Sequence, residues 1–195
     1  KVLIYLLSSV VDSVLLIGGA LLLGLPLPLN PLQILFVNFF SDSFPAIAFA
    51  FEEHHDIHDT QRKMQKLFDT EMKIMIWVLG ISTSVLLFVL YLMLLRTGYD
   101  LTLVRTFIFA SFATYTLLMT FSLRSLKRSI LTYNPFGNSY LTSGVGIGIL
   151  LTLGAVYIPW MQRALHTVAL PLPWLLGVGG VSLVNVFGVE LIKWL

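Results

Sequence analysis

Six apolar runs, each long enough to cross a bilayer, leave this chain few folds to choose from. They cover about residues 2–25, 31–51, 72–95, 104–121, 140–160 and 173–195. About 20 apolar residues span the hydrocarbon as a helix, and there every backbone polar group must be satisfied within its own segment. The pattern predicts an all-α, polytopic bundle of six transmembrane helices, making one domain over residues 1–195. Only 11% of the residues are charged, against about 25% in soluble domains. The chain is therefore read as an integral, multi-pass membrane protein whose first partner is the lipid bilayer. A cell (inner) membrane and an organelle membrane suit these features equally.

Within that frame one stretch stands apart, Asn30-Pro31 through Phe44-Pro45. It opens with an Asn-Pro helix start and is apolar except at Gln33, Asn38, Ser41, Asp42 and Ser43. Asn38, Ser41 and Asp42 are spaced i, i+3 and i+4, which on a regular helix is one face. Pro45 lacks a backbone N–H, so the Ser41 carbonyl loses its helical donor. A carboxylate, an amide, a hydroxyl and a freed carbonyl are oxygen donors suited to a hard cation. An aspartate in an apolar span is costly and marks a functional position. The plainer alternative is a kinked helix whose polar groups hydrogen-bond to neighbouring helices.

Asp12 and Ser13 lie near the middle of the first span, which a Pro-rich turn at residues 24–31 joins to the second. Counted outward from that turn, they reach roughly the depth of Asn38 to Asp42, so the two groups are expected to meet. No Lys or Arg sits at that depth in any span. The counter-charge for Asp12 and Asp42 is then a bound cation or a proton; both aspartates protonated and hydrogen-bonded is the rival reading.

Other features are read as structural. Gly144 with Gly148, and Gly177 with Gly179 and Gly180, form small-residue packing faces. Thr114, Tyr115, Thr116 and Thr120 are expected to bond between helices, and Glu190 with Lys193 to form a snorkelling interfacial pair. The acidic and histidine run at residues 52–59 carries His54 and His58 four apart, which could ligate a metal but reads better as a solvated loop. Nine basic residues fall on the side of the termini and three (Arg96, Arg105, Arg163) on the other. The positive-inside rule therefore predicts both termini in the cytoplasm. No phosphate-binding glycine loop, nucleophile–base pair or nucleic-acid-binding patch is present, so no catalytic residue is assigned.

Tyr5-Leu6-Leu7-Ser8-Ser9, the Gly24-Leu25-Pro26-Leu27-Pro28-Leu29 turn and Pro31 through Asn38, Ser41-Asp42 and Phe44-Pro45-Ala46 together resemble the C-terminal membrane half of cation-transporting P-type ATPases. The likeness is to the fifth to tenth membrane helices of the calcium-pump-like branch. It continues more weakly through Arg105-Thr106, Asn134-Pro135-Phe136 and Val189 to Lys193. The resemblance implies a mid-membrane cation site in which Asn38, Ser41 and Asp42 match ligands of the sixth helix. Thr116 falls where the eighth helix usually carries a glutamate or glutamine ligand. The first span departs from the pattern: Val10 and Ser13 replace an asparagine and a glutamate, while Asp12 stands beside them. Two carboxylates at most are then available, whereas calcium takes about six to eight oxygens. Calcium, a proton and a monovalent ion all stay open.

The resemblance also implies partners beyond this chain: four earlier membrane helices and the cytoplasmic ATPase domains, which would use ATP and Mg2+. By position, the first span and residues 52–71 would contact that motor. A chain starting one residue before a membrane span is expected to be a piece of a longer one, inactive alone. The competing readings are a self-contained six-span secondary transporter or channel, which would usually show internal repeats, and a non-catalytic membrane subunit. No convincing repeat relates residues 1–95 to 96–195.

Overall fold

The computed structural model describes residues 2–50, 70–124 and 134–192, and these are helical throughout apart from turns. The run at residues 52–59, Lys193 and Trp194 lie outside the described residues. Helix α1 is Val2–Leu22; the next segment is broken into α2 (Pro31–Phe36), a π-helical turn (Val37–Ser41) and α3 (Ser43–Ala50). Then come α4 (Thr70–Arg96), α5 (Leu101–Leu123), α6 (Ser139–Tyr157), the short α7 (Pro159–Leu165) and α8 (Leu172–Ile192). Five of these, α1, α4, α5, α6 and α8, are individually long and apolar enough to cross a membrane. The broken segment reaches that length only end to end, because its three pieces are 6, 5 and 8 residues.

Helix α5 is the axis. In its most apolar stretch 89% of the residues are buried, against 22–39% in the other four long helices. A helix buried all round belongs inside a bundle, and helices apolar on their outer faces suit lipid contact. α5 packs along α8 and α6, while α1 packs along α4. Asp100 caps α5, accepting hydrogen bonds from the Thr102 and Leu103 amides at 2.9 and 3.1 Å.

The burial pattern of α1 inverts that of a soluble amphipathic helix. Tyr5, Ser8, Ser9, Asp12 and Ser13 face inward, and Leu3, Val10, Val14, Leu15, Leu21 and Leu22 face out. In a lipid solvent the polar stripe is the one that must be hidden.

The turn after α1 is held from the bundle. Gly24 adopts φ +63° there, a left-handed conformation that glycine reaches without a Cβ penalty. The Leu27 carbonyl accepts from Arg105 Nε at 2.7 Å, and the Pro26 carbonyl accepts from Tyr91 Oη. Gln33 closes the start of α2 by accepting from the Asn30 amide at 2.9 Å and donates to the Leu165 carbonyl at 3.1 Å.

Several sequence expectations change in detail. Ile158 leaves helical geometry ahead of Pro159, so the fifth apolar run is two helices rather than one. Thr116 and Thr120 donate to carbonyls of their own helix, those of Phe112 and Leu117, at 2.6 Å each, instead of bridging helices. Glu190 does not snorkel; it is buried and accepts from Ser122 of α5. Gly144 lies against the Phe44 backbone and Gly148 against Leu117, as a packing face should, whereas of the second trio only Gly177 meets a neighbour, the Phe107 ring.

α1 and α4 pack tightly at Gly80, where an added Cβ would stand 2.7 Å from Val11 Cγ1 and 3.2 Å from the Ser8 carbonyl. Gly80→Val is expected to pry these helices apart and lower stability by about 1–3 kcal/mol. Gly179→Ala, facing open space, should be near neutral. Thermal unfolding of the detergent-purified protein checks both, and equal midpoints for the two variants would contradict this packing.

Candidate cation site at the broken helix

The break in the second apolar run is produced by two local events acting together. Pro45 removes one backbone donor, as its sequence position requires. Upstream, the Asp42 amide bonds to the Val37 carbonyl, five residues back, at 3.0 Å, so the turn is one residue too wide. Such single π turns inside α-helices frequently mark functional positions. The freed Ser41 carbonyl does not stay orphaned: it accepts from Tyr5 Oη of α1 at 2.8 Å.

Asp42 sits on this break, only 3% exposed. The Tyr5 hydroxyl also lies 3.2 Å from Asp42 Oδ1, and Ser9 Oγ donates to Asp42 Oδ2 at 2.8 Å. Ser13 Oγ in turn donates to the Ser9 carbonyl at 3.0 Å. Ser41 is fully buried, and its Oγ has no hydrogen-bond partner among the described residues. Buried polar atoms nearly always find a partner, so an unsatisfied hydroxyl beside a buried carboxyl marks donor capacity that the protein itself leaves unused.

The six residues singled out from sequence separate into three places. Ser41 and Asp42 are together on the break. Asn38, expected on the same face, is instead exposed and lines a groove between α1 and the broken helix with Val10, Ser13, Val14 and Ile34. The physical reason is the wide turn: it takes more residues per revolution than an α-helix, which swings Asn38 and Ser41 further apart around the axis. Ser13 is buried but borders the same groove. Asp12 accepts from Thr83 of α4, whose Oγ1 is 3.0 Å from Asp12 Oδ2, and it lines a small cavity with Thr116 that Tyr5 and Ser9 also border.

The first span does meet the second, but through Tyr5 and Ser9 rather than through Asp12. Neither was marked as a site residue from sequence. Both lie on the i, i+4, i+7, i+8 stripe shared with Asp12 and Ser13, and that spacing could have found them.

The profile of the family described as "Cation transporting ATPase, C-terminus" matches residues 26–195. This chain belongs to that family. Among cation-ATPase relatives, a calcium-transporting ATPase of Bacillus subtilis is 33% identical over 183 residues, covering 90% of this chain and 20% of that protein. Calcium-transporting ATPase 1 of Bacillus cereus is 28% identical over 192 residues, covering 88% of this chain and 21% of its own length. Calcium-transporting ATPase 1 of Yarrowia lipolytica is 25% identical over 175 residues, with 88% and 19% covered. The chain thus spans about a fifth of the length of the relatives it matches. With five helices long and apolar enough to cross a bilayer, this member of the family is an integral, multi-pass membrane protein.

Tyr5 is the clasp of the site, since one hydroxyl serves both the freed carbonyl and the carboxyl. Tyr5→Phe should lower the stability of the detergent-purified protein by about 1–3 kcal/mol, the cost of leaving buried acceptors unsatisfied. Asn38→Ala, on the exposed groove, should change it little. Denaturant midpoints decide, and an unchanged midpoint for Tyr5→Phe would remove its assigned role.

Proposed function

We propose that this segment carries part of the cation path of an ATP-driven pump, with Asp42 as the charged ligand and Ser41 beside it. The observation that carries the reading is the placement of a buried carboxyl on a broken helix, with freed backbone and hydroxyl oxygens at hand. Among the described residues, the hydrogen bonds to the Asp42 carboxyl come from hydroxyls, those of Tyr5 and Ser9. Hydroxyl donors leave the site short of positive charge, and a cation supplies it. Irregular backbone at membrane depth is tolerated where it lines a site.

Asn38 and Ser13 border the groove of about 410 Å³ and would face whatever packs there. An apolar groove with two polar rims suits another membrane helix of the same pump, which would add oxygen ligands to those of Asp42. The relatives are named for calcium, and such added ligands are what an ion taking about six to eight oxygens would require. On this reading the broken segment is a sixth span, both termini are cytoplasmic, and ATP and Mg2+ act in domains outside this chain.

The test is Asp42→Asn in the full-length protein. It should abolish cation-dependent formation of the phosphorylated enzyme while leaving expression intact. Unchanged cation affinity in that variant would refute the role.

A further inference from the structure

The wide turn at Val37–Ser41 is a register that has to be held from both sides. A π turn carries one residue more than the α-helix around it. Losing that excess would rotate everything upstream by about 100° and slide it by about 1.5 Å along the axis. On the Asp42 side the hold comes from Tyr5 and Ser9. On the other side it comes from Gln33, which is fully buried. Its Oε1 accepts from the Asn30 amide at 2.9 Å, and its Nε2 donates to the Leu165 carbonyl at 3.1 Å. Capping α2 requires only the first of these bonds. The second reaches a residue 132 positions away, so Gln33 also ties one element to another.

Leu165 is the last residue of α7, and His166 ends that helix with φ +53°. A left-handed conformation is costly to a residue with a Cβ and is kept only where the surroundings impose it. Just beyond, the Val168 amide donates to Thr106 Oγ1 of α5 at 3.1 Å. The neighbouring Arg105 holds the Leu27 carbonyl at 2.7 Å, in the turn that leads into α2. These bonds close a ring: from Arg105 through the turn and Gln33 to the end of α7, then through Thr106 back to α5. α2 forms one side of it.

We propose that Gln33 is a positioning residue: through this ring it fixes the rotation of α2, keeps the extra residue in the turn at Val37–Ser41, and so sets the aim of Asp42. It acts through the helix, since its own bonds go to Asn30 and Leu165. With the tie to Leu165 cut, α2 is free to turn, and the wide turn loses what opposes its relaxation to a regular α-helix. The effect on cation binding rests on the reading of Asp42 as the cation ligand; the effect on the helix does not.

The experiment uses the full-length protein, read by hydrogen–deuterium exchange with mass spectrometry and by calcium-dependent phosphorylation. Gln33→Leu, similar in size and without polar side-chain atoms, should speed amide exchange across residues 31–42 about tenfold. It should also raise the calcium concentration for half-maximal phosphorylation about tenfold, while the maximal level changes far less. Thr167→Val is the comparison: it removes a buried bond of the same loop, to the Ala155 carbonyl at 2.5 Å, that lies outside the ring. It should lower the unfolding temperature and leave the calcium dependence as in wild type. Should Gln33→Leu not fold, Thr106→Val at the opposite end of the ring takes its place, with both shifts in the same direction. Unchanged exchange over residues 31–42, faster exchange with a wild-type calcium dependence, or an equal calcium shift in Thr167→Val overturns the proposal. The Asp42 reading fails on its own terms, by unchanged calcium affinity in Asp42→Asn, and the ring fails by unchanged exchange in Gln33→Leu.

Discussion

The contact between Tyr5 and the Ser41 carbonyl holds the centre of this bundle together. Pro45 and the wide turn before it open a helix where no water is available to satisfy the exposed carbonyl. A single hydroxyl from α1 closes that deficit at 2.8 Å and reaches Asp42 as well. The remaining arrangement follows from it. α1 must turn its polar stripe inward, its apolar face is left for lipid, and the joining turn must be short and pinned, as Arg105 and Tyr91 pin it.

α1 thereby serves three directions with one helix. Tyr5 and Ser9 bond to the broken helix and, with Ser8 and Asp12, also line the small cavity toward α4 and α5, while Ser13 borders the groove. Residues spaced about 100° apart on a helix can do this only because each neighbour packs closely. Gly80 supplies that closeness on the α4 side. The two carboxyls lie at similar depth and take different hydroxyl donors, Tyr5 and Ser9 for Asp42 and Thr83 for Asp12.

Much of this was legible in the residues alone. Long apolar runs foretold an all-α membrane bundle, and Pro45 foretold a freed Ser41 carbonyl. The proline-rich turn foretold that the first two runs lie side by side. What escaped was rotation. Helical spacing assumes 3.6 residues per turn, and nothing local in Val37 to Ser41 announces the wider turn that carries Asn38 to the groove. Asp12 lies near enough to Asp42 to feel its charge, as depth counted along the sequence implies, but its hydrogen bond goes to Thr83, because azimuth depends on which neighbour packs where. Glu190 looked interfacial by its distance from the chain end, yet Ser122 across the α5–α8 contact makes a buried position tolerable.

The central claim is that the break at Asp42 holds a cation. It is tested most directly by locating the ion: a diffraction map of the full-length protein, crystallised with an anomalously scattering substitute for the transported cation. The account predicts anomalous density in coordination contact with an Asp42 carboxyl oxygen. Density confined to other helices, with Asp42 still bound only by Tyr5 and Ser9, would contradict it.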